Sequence, residues 1–117
     1  GGMLLKPNMV ISGKKCSSQA SIQEVAKMTL NCLEENVSPE VPGIVFLSGG
    51  QSNELATEHL NEMNKKDTDW NVTFSYGRAL QQDALKAWSK NLENPQLAQQ
   101  ALLTRAKANS LATRSNL

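Results

Sequence analysis

Apolar residues recur along this chain in one arrangement, three times over. A short run of consecutive apolar positions is followed by a turn bearing glycine or proline, then by a longer stretch whose apolar residues return every three or four positions. Short continuous runs suit strands, and the three-to-four spacing suits amphipathic helices. The predicted order is therefore βαβαβα with one further helix. The first strand covers Met3 to Leu5; its continuation toward Val10 is complicated by Pro7, which has no N–H for a sheet ladder. A loop follows at Ser12-Gly13-Lys14-Lys15. The first helix begins near Ser21, which with Glu24 forms a capping box, and Ile22, Val25, Ala26, Thr29, Cys32 and Leu33 make its buried stripe. After Pro39 and Pro42 comes the second strand, Ile44 to Leu47, a run that suits a strand covered on both faces. The second helix spans Asn53 to Asn64 with Leu55, Ala56, His59, Leu60 and Met63 turned inward. The third strand covers Trp70 to Ser75, and the helix from Ala79 to Lys90 carries Leu80, Ala84, Ala87 and Trp88 inward. The last helix takes Asn94 as its cap and Pro95 as its first residue, where the missing N–H costs nothing, and runs to Leu111.

Strands that alternate with helices need a parallel sheet, which is stable when both faces are covered or the sheet closes into a barrel. Three strands cannot close one. With no helix ahead of the first strand, the pattern leads to the expectation of an α/β chain that forms the C-terminal portion, about three βα units, of a (β/α)₈ TIM barrel. Residues 1–117 would then be one partial barrel domain carrying strands 6 to 8, with no second domain, and Lys6 would lie on strand 6. In such barrels the active site sits at the C-terminal ends of the strands, and phosphate is often bound by the loops after strands 7 and 8.

Composition narrows the function classes. A length of 117 residues allows one domain. A net charge of +1 and 39% apolar residues give no excess charge for nucleic acid or an anionic membrane surface. No apolar run approaches the ~18 residues of a membrane span, and no signal-peptide pattern opens the chain, so the expected compartment is the cytoplasm. Cys16 and Cys32 have the spacing of neither a disulfide framework nor a metal knuckle and read as free thiols, buried or half-buried.

Candidate chemistry lies in the turns. Lys6 is the only charge between Leu4 and Val10. An amine attacks a ketone only when neutral, whereas lysine's usual pKa near 10.4 keeps it protonated. Apolar surroundings or neighbouring cations activate Schiff-base lysines, and Met3, Leu4, Leu5 and Met9 offer the apolar kind. On spacing alone Lys6 reads more readily as a strand-end lysine reaching to solvent. Ser48-Gly49-Gly50-Gln51-Ser52 leads from a strand into a helix, where glycines let backbone N–H groups approach an anion. Tyr76-Gly77-Arg78 repeats the arrangement and adds a guanidinium that can grip phosphate oxygens in pairs.

The segments Leu4 to Val10, Phe46 to Ser52, Phe74 to Leu80 and Ala108 to Ala112 closely resemble class I fructose-1,6-bisphosphate aldolases, in the same order and over nearly the whole chain. The resemblance implies a lyase that reversibly cleaves fructose 1,6-bisphosphate to dihydroxyacetone phosphate and glyceraldehyde 3-phosphate in glycolysis and gluconeogenesis. It implies a catalytic role for Lys6, which forms the iminium that serves as electron sink. Ser48, Gly49, Gly77 and Arg78 would bind the substrate phosphate. It implies a phosphorylated sugar as substrate, no cofactor, no metal, and a homotetramer.

Departures accompany the match. The acid/base glutamate, an aspartate and further basic residues of such sites belong to strands absent from this sequence, Gly1 stands where an acid is usual, and the tail that often ends in tyrosine is missing. The chain alone would then turn over nothing, and Glu24, Glu54 and Asp83, on helix faces away from the strand ends, read as solvated acids rather than substitutes. A second reading is a non-catalytic truncated paralogue or a phosphate-binding interaction module; a third is a lysine aldolase acting on a related phosphorylated ketose. His59, the only histidine, shares the spacing of Leu55, Ala56 and Met63 and reads as a core or interface residue. Trp70 and Trp88 read as packing residues.

Overall fold

The computed structural model describes residues 2–117, so the expectation attached to Gly1 lies outside the described residues. Seven elements follow one another: β1 (Leu4–Leu5), α1 (Ile22–Asn36), β2 (Gly43–Phe46), α2 (Asn53–Met63), β3 (Asn71–Phe74), α3 (Arg78–Lys90) and α4 (Gln96–Ala112). The strands form one parallel sheet in the order β1-β2-β3. Parallel strands require crossover connections, and α1 and α2 supply them.

Local sequence explains the boundaries. Ser21 and Glu24 make the reciprocal capping box at the start of α1. Ser52 caps α2 by accepting from the Leu55 N–H. Pro95 precedes α4 instead of opening it, and the Asn94 carboxamide accepts from the Gln96 N–H. Strand pairing starts at Gly43 and stops at Phe46, one residue earlier at each end than the apolar run, and β1 and β3 are shorter than their apolar stretches.

The register sets which side chains share a face. Leu5, Ile44 and Val72 lie side by side, with Phe46 opposite Phe74 one step further on. This face meets α1 and α2: Ile44, Phe46, Ala26, Ala56, Leu60 and Met63 are fully buried, joined by Val25, Leu30 and Leu33. Full burial of the larger of these, such as Ile44, Phe46, Leu60 and Met63, is worth about 1.5–3 kcal/mol each. The opposite face carries Leu4, Gly43, Val45, Asn71 and Thr73, and Leu4 is 61% exposed. Val45 is half-buried. The expectation that β2 is covered on both faces is therefore corrected: the described helices cover one.

Other expected interior positions move outward for the same reason. Leu55 and Trp88 are exposed, at 37% and 47%. Trp88, Leu85, Ala98 and Leu102 line an open groove between α3 and α4. Trp70, by contrast, is buried and donates its indole N–H to the Ser38 carbonyl at 2.9 Å. Both cysteines are free and exposed, not buried; Cys32 lies on the outer side of α1, and Leu30 takes a core position the spacing did not assign.

Leu60 and Leu55 test this division of α2. Leu60→Ala is expected to lower stability by about 2–5 kcal/mol through the cavity it leaves, and Leu55→Ala by less than about 1 kcal/mol, compared by urea unfolding.

Candidate functional site

The three strands point the same way, so their C-terminal ends form one edge. Hydrogen bonds beyond the regular ladder bring these ends level: the Leu47 N–H donates to the Pro7 carbonyl at 3.1 Å, and the Ser75 N–H to the Phe46 carbonyl at 2.8 Å. Pro7 cannot donate, yet its carbonyl still accepts, so pairing carries past the proline. Lys6, Ser48 and Gly77 consequently leave the sheet at one edge. Alternation along the first strand puts Lys6 with Leu4, on the face that the helices leave bare. The lysine is exposed, as are Met3 and Leu4, while Met9 is buried in the core. The apolar neighbours in its sequence therefore do not enclose it within the described residues.

The turn between β2 and α2 is tightly built. Gly49 and Gly50 have φ of +61° and +79°, a region costly for residues with a Cβ. The Gln51 N–H closes the turn on the Ser48 carbonyl at 3.1 Å. The Asn8 side chain lies against Gly49, leaving no room for a Cβ, and its Oδ1 also accepts from the Met9 N–H at 2.8 Å. The segment that carries Lys6 is thus packed directly on the glycine turn. At Gly50 a Cβ would stand 2.9 Å from Lys14 Nζ and 3.6 Å from Arg78 Nη2. Arg78 is the first residue of α3, whose amino end follows Gly77, so the guanidinium and the helix's free N–H groups share one location.

Of the residues singled out in the sequence, Lys6, Ser48, Gly49 and Gly77 lie just past the strand ends at this edge, and Arg78 opens α3 beside them. Lys14 and Asn8 join them without having been singled out, as does Gly50 of the predicted glycine turn. The one signal for Lys14 was a lysine in a glycine turn following a strand. Asp83, expected to be solvated, is half-buried and accepts from Asn53 Nδ2 at 3.1 Å.

Beneath the turn lies a cavity of about 320 Å³, lined by Lys14, Gly49, Gly50, Gln51, Leu55 and His59 among others. His59 is 2% exposed, as expected for an interior histidine. Its Nδ1 lies 2.6 Å from Gln51 Oε1, an acceptor, so Nδ1 carries the proton and the buried Nε2 is left without a partner. Burial lowers its pKa.

A second polar cluster holds α2 from below. Arg105 of α4 donates to the Asn53 carbonyl at 2.7 Å and to the Thr57 hydroxyl, which in turn donates to Asn109 Oδ1 at 2.7 Å. Tyr76 donates to the Ala56 carbonyl at 2.8 Å; burial raises its pKa, and the Arg105 charge partly offsets that rise. Nothing in the spacing of α4 marked Arg105 as interior, because a charged residue is seldom buried without a carboxylate.

The family profile "Fructose-bisphosphate aldolase class-I" matches residues 1–117. The chain is similar to a probable fructose-bisphosphate aldolase class 1 of Xanthomonas campestris pv. campestris, at 55% identity over 95% of the chain and 34% of the relative. It is similar to chloroplastic fructose-bisphosphate aldolase 2 of Pisum sativum, at 56% identity over 95% of the chain and 32% of the relative. Among solved structures, the fructose-bisphosphate aldolase of Plasmodium falciparum in complex with TRAP and a small-molecule inhibitor superposes with a TM-score of 0.91. The two share 48% identity, over 97% of this chain and 33% of that one. The chain therefore spans about a third of the length of the curated relatives it matches.

Two measurements probe the turn. Gly49→Ala places a methyl group against Asn8 in a left-handed conformation and is expected to cost about 1–3 kcal/mol, whereas Gly13→Ala, in open space, stays within about 0.5 kcal/mol; urea unfolding compares them. For His59, the unfolded chain takes up a proton below its ordinary pKa of 6.5 while the folded chain resists it. Stability is expected to fall as pH drops below 6.5, until the folded imidazole itself titrates. In His59→Asn the histidine contribution to that slope disappears from unfolding curves recorded across this range.

Proposed function

This chain belongs to the class-I fructose-bisphosphate aldolase family, and on that premise we propose that it supplies the amine nucleophile and the phosphate grip for reversible cleavage of fructose 1,6-bisphosphate. In this reading β1, β2 and β3 are strands 6 to 8 of a (β/α)₈ barrel, residues 1–117 form part of one domain, and the other strands cover the bare face that carries Leu4 and Lys6. The sequential, all-parallel strand order supports it, as does superposition on a third of the Plasmodium enzyme.

Each residue then has a role that follows from its chemistry. The neutral Lys6 amine attacks the ketone carbon of the open-chain sugar, and loss of water leaves an iminium. Its positive nitrogen draws in the electron pair of the carbon–carbon bond that breaks, releasing glyceraldehyde 3-phosphate and leaving an enamine. Protonation of the enamine carbon and hydrolysis then free dihydroxyacetone phosphate and restore the amine. The Ser48 hydroxyl, the Gly49 and Gly77 N–H groups and the Arg78 guanidinium hold the phosphate, so the ketone is presented to the amine in a fixed position. The proton of the sugar hydroxyl beside the breaking bond goes to a base outside this segment. The observation that carries the reading is the level edge of three parallel strands, from which Lys6, the glycine turn and Arg78 all emerge.

The resemblance adds a homotetramer for the complete polypeptide. The cytoplasm is the compartment proposed, with the chloroplast as the alternative by analogy with the pea relative. One observation favours the second reading for the chain by itself: the exposure of Lys6 and Leu4 suits a phosphate-binding module that does not turn over.

Borohydride reduction in the presence of dihydroxyacetone phosphate separates these readings. The polypeptide carrying this segment is expected to gain a covalent adduct on Lys6, located by peptide mass mapping. Lys6→Ala is expected to lose the adduct and to lower kcat by about 10³-fold or more. An adduct elsewhere, or none in the complete polypeptide, would overturn the nucleophile assignment.

A further inference from the structure

We propose that Lys14, on the loop between β1 and α1, is a second cation of the phosphate grip. The proposal rests on the phosphate-site reading above and extends it to a residue outside that set.

Two like charges from separate parts of the chain converge on one glycine. Lys14 Nζ and Arg78 Nη2 both stand close to where a Gly50 side chain would be, at 2.9 Å and 3.6 Å. One tetrahedral anion can reach both. Neither is neutralised from within: the only ion pair among the described residues joins Lys65 to Glu62, on the far end of α2. Cations brought together with no counter-charge repel, and a doubly charged ligand between them reverses the sign. Gly50 has no side chain in the way, and its left-handed φ belongs to the turn that the Gln51 N–H closes on the Ser48 carbonyl.

The lysine is also delivered by an organised loop. The Cys16 N–H donates to the Gly13 carbonyl at 3.0 Å, folding the chain tightly around Lys14 and Lys15. Gln19 Nε2 donates to the carbonyls of Gly13 and Cys16 at 3.0 Å and 2.9 Å. The Ala20 N–H donates to the Ser12 hydroxyl at 2.9 Å, and the Val10 N–H to the Thr29 hydroxyl of α1, also at 2.9 Å. Every bond of this set involves backbone or uncharged side chains, so the Lys14 ammonium is left for a ligand. A flexible stem lets it close on the anion as a point charge, while Arg78 supplies the planar, paired contacts.

The test uses the complete polypeptide carrying this segment, with inorganic phosphate as probe, followed by amide NMR shifts at Gly49, Gly50 and Gly77 and by competition against the phosphorylated ketose. Lys14→Gln is expected to weaken phosphate binding and raise KM about ten-fold, and Lys14→Arg to restore both to within about two-fold. Thermal unfolding of both variants checks that the exposed loop substitution leaves the fold intact. Wild-type phosphate affinity in Lys14→Gln overturns the proposal, and so does an equal loss in Lys14→Arg. If borohydride trapping on Lys6 fails while Lys14-dependent phosphate binding persists, the aldolase reading falls and the anion site stands; the converse result sinks only the role of Lys14.

Discussion

The register of three short parallel strands is the constraint on which the rest of this structure depends. Parallel pairing puts every strand's C-terminal end on the same edge, and two hydrogen bonds past the regular ladder, Leu47 to Pro7 and Ser75 to Phe46, keep those ends level. A slip by one residue would turn Ile44, Phe46 and Val72 from the helix-covered face to the bare one. It would also swing Lys6 toward the helices and part Asn8 from Gly49. Core and candidate site are thus specified by the same pairing.

Around that edge, polar groups do what apolar packing cannot. Asn8 ties the segment after the lysine to the glycine turn, the Gln51–His59 pair anchors the residue just beyond it, and Arg105 with Thr57 and Asn109 grips the first turns of α2 from α4. The Arg105 charge is buried without a carboxylate, which is costly unless oxygens surround it. Here a carbonyl and a hydroxyl accept from one of its terminal nitrogens while the buried Nε has no partner, and those bonds tie α4 to α2.

Elements with strong local signals were legible in the sequence. The capping box at Ser21 and Glu24 and the two glycine turns stand where the pattern put them, and β2 lies one residue from its expected bounds. Parallel pairing followed from the alternation of strands and helices. What the pattern could not convey is which apolar face finds a partner: Leu55, Trp88 and Cys32 fit helical stripes yet face outward, because periodicity measures the stripe and not the neighbour that would cover it. Arg105 was invisible for the opposite reason. It is placed by residues far away in sequence, so no local window contains the cause. The site residues were legible as types in turns, and their convergence depended on register.

Arg105 reaches back across 52 residues to Asn53, and that separation has a meaning in time. A chain is synthesised from its N-terminus at about 5–20 residues per second. The glycine turn and the first turn of α2 therefore leave the ribosome on the order of several seconds before the helix that clamps them. During that interval Ser52 capping and the β2 pairing must hold the turn by themselves. The turn is thus formed early in the chain's synthesis, and the clamp on the helix that follows it is completed only when α4 arrives.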